Sequence, residues 1–172
     1  MGASGKKVVL VIAHENFRDE ELAEPMEVLE SAGVEVTIAS SSLEPAKGKL
    51  GAVVLPDILI DDIRVGDFDA IVFIGGGGSS EYFESPVAHN IARDAAPSGK
   101  LIGAICVAPS ILANAGLLEG KKATSYPSEE QNLKSKGASF TGAGVEVDGR
   151  IITADGPKSA REFGRALLDA LK

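Results

Sequence analysis

The chain has 172 residues, 44% of them hydrophobic and 24% charged, with 20 glycines, which fits one soluble α/β domain with a sizeable core. A net charge of −8 argues against nucleic acid and anionic membranes as partners. The single cysteine, Cys106, excludes an internal disulfide and any cysteine-based metal cluster, and it fits a reducing, cytoplasmic compartment.

The whole chain reads as one domain, residues 1–172, with residues 1–6 expected to form a flexible tail. The opening MGASGKK contains no long apolar run, so neither a signal peptide nor a membrane span is expected. Val8–Ala13 is apolar and β-branched, which predicts a central strand with His14 just past its end. A polar segment, residues 15–21, precedes Leu22, Met26, Leu29 and Ala32 at helical spacing, closed by Gly33. Pro25 lies inside that pattern and cannot donate to the carbonyl of Glu21, so the first turns should be distorted. Val34–Ser40 alternates as a strand, and Ser41–Leu50 reads as a loop.

Ala52–Leu55 and Ile58–Ile63 read as short strands or an edge hairpin around Pro56-Asp57. Ala70–Ile74 is a third core strand and runs into Gly75–Gly78. Ser85-Pro86 starts a helix whose Val87, Ile91, Ala92 and Ala95 should face the core, with His89 facing solvent. Leu101–Ile105 carries no charge and reads as a strand buried on both faces. It ends abruptly at Cys106. Pro109 then suits the first turn of a helix that buries Ile111, Leu112 and Ala115 and is capped by Gly116.

Lys122–Ser125 is a short strand, and Ser128 with Gln131 matches a capping box for a short helix ending at Gly137. Ser139–Thr141 and Val145–Val147 are candidates to pair with Ile151–Ala154, a further core strand. Ser159 and Glu162 match a second capping box, ahead of a stripe formed by Ala160, Phe163, Leu167 and Leu171. Strands alternating with helices of about 10–15 residues predict a three-layer sandwich, a mostly parallel sheet with helices on both faces. In such sheets sites form beyond the C-terminal strand ends. His14, Gly75–Gly78, Cys106, Tyr126 and Asp155-Gly156-Pro157 all converge on that edge.

A side chain at a strand-to-helix turn is held up at the sheet edge, as in nucleophile elbows. Backbone N–H groups and the helix dipole there favour thiolate, so Cys106 is a candidate nucleophile. The plain alternative is a small buried hydrophobe. The Gly75–Gly78 run is not a dinucleotide cradle, because it lacks G-x-G-x-x-G and follows a later strand.

The residues Ala104-Ile105-Cys106-Val107-Ala108-Pro109, Ile74-Gly75-Gly76, Glu21 with Pro25, Thr124-Ser125-Tyr126-Pro127 and Asp155-Gly156-Pro157 together resemble one superfamily. It is that of the PfpI-type intracellular proteases and the parkinsonism-associated protein deglycase. The resemblance spans Lys7 to Leu171 and implies a flavodoxin-like fold, related to class I glutamine amidotransferases. It implies that Cys106 is the nucleophile, that Glu21 is the carboxyl partner beside its sulfur, and that the N–H groups of Gly76 and Val107 form an oxyanion hole. It also implies no cofactor and no metal, and a homodimer or larger homo-oligomer.

Val107 stands where the protease-like members carry histidine, and Tyr126 where the deglycase-like members do. A peptidase or amidase mechanism needs an imidazole and is disfavoured by this. Addition to an aldehyde is affected less. The reading is a cysteine-dependent glyoxalase or deglycase, a lyase or hydrolase acting on small reactive carbonyls or glycated proteins and peptides. The alternatives are a PfpI-type peptidase, and a redox-sensing or chaperone-like stress protein with an oxidisable Cys106. His14 is a substitute imidazole or an exposed loop residue. Arg18 lowers the pKa of Glu21, binds an anionic substrate, or, the plainer reading, forms a surface salt bridge with a neighbour such as Glu15. Tyr126 is a site wall or a packed aromatic. Ser79, Ser80 and Glu81 each compete for the space after the glycine loop.

Overall fold

The computed structural model describes residues 2–172, and Met1 lies outside the described residues. The strands are β1 (Lys7–Val11), β2 (Glu15–Phe17), β3 (Glu35–Ser40), β4 (Ala46–Gly48), β5 (Val53–Val54), β6 (Ile58–Leu59), β7 (Ala70–Phe73), β8 (Leu101–Ile105), β9 (Lys122–Ala123), β10 (Ser139–Phe140), β11 (Val145–Asp148) and β12 (Ile151–Ala154). The helices are α1 (Asp19–Ser31), α2 (Pro86–Ala95), α3 (Pro109–Asn114), α4 (Glu130–Ser135) and α5 (Ala160–Leu171).

Seven strands form the central sheet in the order β11-β12-β8-β7-β1-β3-β6. All neighbours run parallel except β11, which turns back on β12. The period-two alternation of the strands builds two cores. Val8, Leu10, Val72, Leu101 and Ile105 face Leu22, Leu29, Phe163 and Leu167 of α1 and α5. Val9, Val11, Ile71, Phe73 and Ile102 face Ala88, Ile91, Ile111 and Leu112 of α2 and α3. This is the expected α/β three-layer sandwich, and covering both faces explains why the central strands carry no polar alternation.

The structure departs from the sequence reading in several places. Residues 2–6 are docked rather than loose: Ala3 is buried, and the Gly5 N–H donates to the Gly33 carbonyl at 2.9 Å. Residues 41–50 contain β4, which pairs with β2 and β5 in a small separate sheet. No edge hairpin forms around Pro56, because β5 pairs with β4 while β6 joins the main sheet beside β3. Strand β10 pairs with β9 rather than with the core run.

Ser85 caps α2 by accepting from the Ala88 N–H at 3.2 Å. Neither predicted capping box forms. Ser128 lies in the turn 127–129 ahead of the α4 cap residue Glu129 and donates to a Glu129 oxygen at 2.8 Å, while Ser159 donates to Asp155 Oδ1 at 2.6 Å, and neither hydroxyl accepts from a backbone N–H of the helix that follows. Val87 is exposed, and His89 is buried instead, with Nε2 2.7 Å from the Phe83 carbonyl oxygen.

Candidate active site

The elbow at Cys106 is held by the backbone on both sides. The Cys106 N–H donates to the Ala154 carbonyl of β12 at 2.9 Å, extending the parallel pairing of β8 by one residue. The Cys106 carbonyl accepts from the Tyr126 N–H at 2.7 Å. Between these bonds φ is +66°, a left-handed conformation that costs a non-glycine residue about 1–2 kcal/mol. The Ala108 N–H closes the turn onto Ile105 at 3.1 Å, and Pro109 opens α3. The two Cys106 hydrogen bonds offset that cost and hold the residue at the sheet edge, where it lines a cleft of about 230 Å³ together with Arg18, Gly76, Val107 and Tyr126.

Glu21 reaches the same point from α1. It belongs to the acidic first turn, Asp19-Glu20-Glu21, which suits a helix N-terminus. The Arg18 N–H donates to the Gly75 carbonyl at 2.9 Å and fixes the start of this helix against the glycine loop. A β-carbon on Gly75 would lie 2.5 Å from Cys106 Cβ, from Glu21 Oε1 and from the Ile105 carbonyl oxygen. Only glycine lets these groups converge. A β-carbon on Gly76, where φ is +102°, would likewise collide with the backbone of Asn16, Phe17 and Arg18.

Glu21 is fully buried, and neither carboxyl oxygen completes a well-aligned hydrogen bond. Burial therefore pushes its pKa up to about 7. The Cys106 thiol, the Arg18 charge and the Gly75 backbone lie close enough to oppose that shift only in part. Cys106 is pushed up to about 12, first by burial and then by the Glu21 charge, against the backbone N–H groups of Gly76 and Val107. The thiolate expected from the helix dipole is thus outweighed. Helix α3 is six residues long, and burial beside a carboxyl group opposes the thiolate that its N-terminus favours.

Of the other residues singled out in the sequence, Val107 and Tyr126 line the cleft. Tyr126 is 46% exposed, a wall residue rather than a packed aromatic, and it also borders an adjoining cavity of about 390 Å³. Arg18 pairs with Glu20 rather than Glu15, through Nε to Oε1 at 2.8 Å and Nη2 to Oε2 at 3.0 Å. His14 is not among the cleft-lining residues. Its N–H donates to Glu81 at 2.9 Å and its Nε2 lies 3.8 Å from Glu15. Ser79, Ser80 and Glu81 do not line the cleft either. Lys49 and Ser128 do, and the sequence reading missed both. Ser128 lies two residues past Tyr126, and that proximity was the available signal. Among the described residues no cluster of His, Cys, Asp or Glu is placed to hold a metal ion.

The same arrangement of chain occurs elsewhere. The DJ-1/PfpI family matches residues 6–170. An uncharacterised protein of Methanocaldococcus jannaschii is 43% identical over 169 residues, covering 96% of this chain and 82% of its own. The glutathione-independent glyoxalase DJR-1.2 of Caenorhabditis elegans is 31% identical, covering 99% and 91%. A deglycase of Pyrococcus horikoshii is 35% identical, covering 96% and 99%. The crystal structure of a ThiJ/PfpI domain protein from Brachyspira murdochii superposes with a TM-score of 0.94 at 31% identity, covering 97% of this chain and 98% of that one. The chain, matched over residues 6–170, belongs to the DJ-1/PfpI family.

Proposed function

We propose that this protein is a cysteine-dependent enzyme that converts α-oxoaldehydes such as methylglyoxal, or their adducts, to 2-hydroxy acids. The observation that carries this is the meeting of the Glu21 carboxyl group and Cys106 over Gly75, with Gly76 and Val107 N–H groups biasing the site toward an anion. The names of the Caenorhabditis glyoxalase and the Pyrococcus deglycase support the same class of chemistry.

In this reading the thiol gives its proton to Glu21 as sulfur bonds to the aldehyde carbon. The C=O bond becomes an alkoxide, which the Gly76 and Val107 N–H groups stabilise. Glu21 returns the proton to that oxygen, giving a hemithioacetal. The Glu21 carboxylate next removes the proton from the former aldehyde carbon, giving an enediol, and delivers one to the neighbouring carbon while the hydroxyl proton of the former aldehyde oxygen passes to the neighbouring oxygen, so the adduct becomes the thioester of a 2-hydroxy acid. Water attacks the thioester, the C–S bond breaks, and the thiol is restored. The sum is α-oxoaldehyde plus water to 2-hydroxy acid, with no external oxidant or reductant.

The peptidase reading draws less support, because Val107 offers no proton to an amine leaving group. So does the redox reading, because burial lowers the thiolate fraction on which oxidation acts. The test is lactate formation from methylglyoxal by wild type, Cys106→Ala and Glu21→Gln. Lactate from the wild type alone is the expected result. A wild type that makes none refutes the proposal.

A further inference from the structure

The protein is acidic, with 25 carboxylate side chains against 17 bases, yet the carbonyl-sized cleft is cationic. Its lining includes Arg18 and Lys49 and no carboxylate. Two acids adjoin it without lining it: Glu21 is fully buried beneath Gly75, and Glu20 pairs with Arg18. Arg18 spends Nε and Nη2 on Glu20, which leaves Nη1 unused in that pair. Lys49 makes no ion pair and no side-chain hydrogen bond among the described residues.

Lys49 is not on a loose loop. Its N–H donates to the Phe17 carbonyl at 2.9 Å, next to Arg18. The following turn is clamped by Asp19, whose two oxygens accept from the Leu50 N–H at 2.9 Å and the Ala52 N–H at 2.8 Å. So the first residue of α1 fixes the turn that carries the ammonium, and the third residue of α1 is Glu21. Ser128 and Tyr126 add neutral hydroxyls to the lining. Lys49, exposed on a clamped turn and without an ion pair among the described residues, and the free Nη1 edge of Arg18 are matched by an anion that arrives with the substrate. Methylglyoxal, being neutral, uses neither cation.

We infer that the substrate is an α-oxoaldehyde carrying a carboxylate or phosphate, bound by Lys49 and the unpaired edge of Arg18 while its aldehyde carbon meets Cys106. The inference rests on the carbonyl chemistry proposed above. The anion is a spectator, and the bond changes are those already given.

Two measurements on the full chain test it. The first compares alkylation of Cys106 by iodoacetate and by iodoacetamide, which are close in size and differ in charge. Both attack the same thiol, so its ionisation and accessibility cancel in the ratio of rates. Relative to glutathione under the same conditions, the ratio is expected to favour iodoacetate by roughly tenfold. It should fall about fivefold in Lys49→Met, recover in Lys49→Arg, and shrink with added salt. A ratio equal to that of glutathione, or one unmoved in Lys49→Met, overturns the inference.

The second measurement compares kcat/KM for 4,5-dioxopentanoate, for its neutral methyl ester, and for the phosphate ester of hydroxypyruvaldehyde. The acid is expected to exceed its ester about tenfold, and the phosphate arm then separates carboxylate from phosphate recognition. Equal turnover of acid and ester refutes the inference and leaves the carbonyl reading intact. If no α-oxoaldehyde is turned over, the carbonyl reading falls, and with it the substrate inferred here.

Discussion

Replacing Glu21 with glutamine keeps the shape of the side chain and removes its ionisation. The wild-type carboxyl titrates at about 7, against 4.5 for the same group in an unfolded chain. The folded state therefore holds this proton more tightly than the unfolded state does. The resulting stabilisation is complete below pH 4.5, declines as the unfolded chain begins to ionise, and is gone once the pH passes 7. Moving one carboxyl over that range corresponds to about 3 kcal/mol.

Glutamine has no such dependence. The difference in unfolding free energy, Glu21→Gln minus wild type, should rise by about 3 kcal/mol between pH 4 and pH 8. The assay is urea unfolding of both proteins across that range. Other titrating groups are common to both and cancel in the difference. Any fixed cost of burying the glutamine amide shifts the difference equally at every pH. Two parallel stability curves would refute the claim that burial governs this carboxyl group.

Two further substitutions test the packing that creates the site. Gly75→Ala drives a methyl group into Cys106 Cβ, Glu21 Oε1 and the Ile105 carbonyl, so lactate formation should be lost, with stability lowered by about 1–3 kcal/mol in denaturant melts. Gly164→Ala, in α5 and away from the cleft, places a methyl group 2.8 Å from Pro25 Cα of α1. It should destabilise by a similar amount, about 1–3 kcal/mol, while kcat of the folded enzyme changes little, and a stability equal to wild type would show that the helices separate freely.

Much of this was readable from sequence where the physics is local or the strand is buried on both faces. Leu101–Ile105 and Ile151–Ala154 were legible to the residue because uncharged runs bounded by turns have few alternatives. The abrupt end of β8 at Cys106, followed by Pro109, likewise marked the elbow. Lys49 was not legible. It enters the cleft through the pairing of β4 with β2, two three-residue strands with too little length for a periodic signal. His89 was misjudged because it borders the apolar stripe of α2, and its partner is a carbonyl from a separate turn. The direction of the thiol shift was missed because burial beside Glu21 depends on how deep the elbow sits, which spacing does not reveal.

A thiol pushed up to about 12 and a nucleophile are reconciled by treating Glu21 and Cys106 as one unit. Burial makes two negative charges there costly, so near neutrality the pair carries at most one. Starting from carboxylate and thiol, attack on a neutral aldehyde moves the proton to Glu21 and the charge through sulfur to the new alkoxide. The Gly76 and Val107 N–H groups oppose the rise in the thiol pKa, and in the proposed reaction they are the donors that meet this charge. Charge is relocated over a short distance rather than created, and no imidazole is required. On the proposed chemistry, the site can therefore act with Val107 and Tyr126 in place of the two histidines. The consequence is a pH profile. Because Glu21 must be ionised to accept the proton, kcat/KM for methylglyoxal should rise tenfold per pH unit below about 7 and level off above it. A profile flat across pH 5.5–8, or one falling through that range, would mean that Glu21 is not the base and that the proton takes another path.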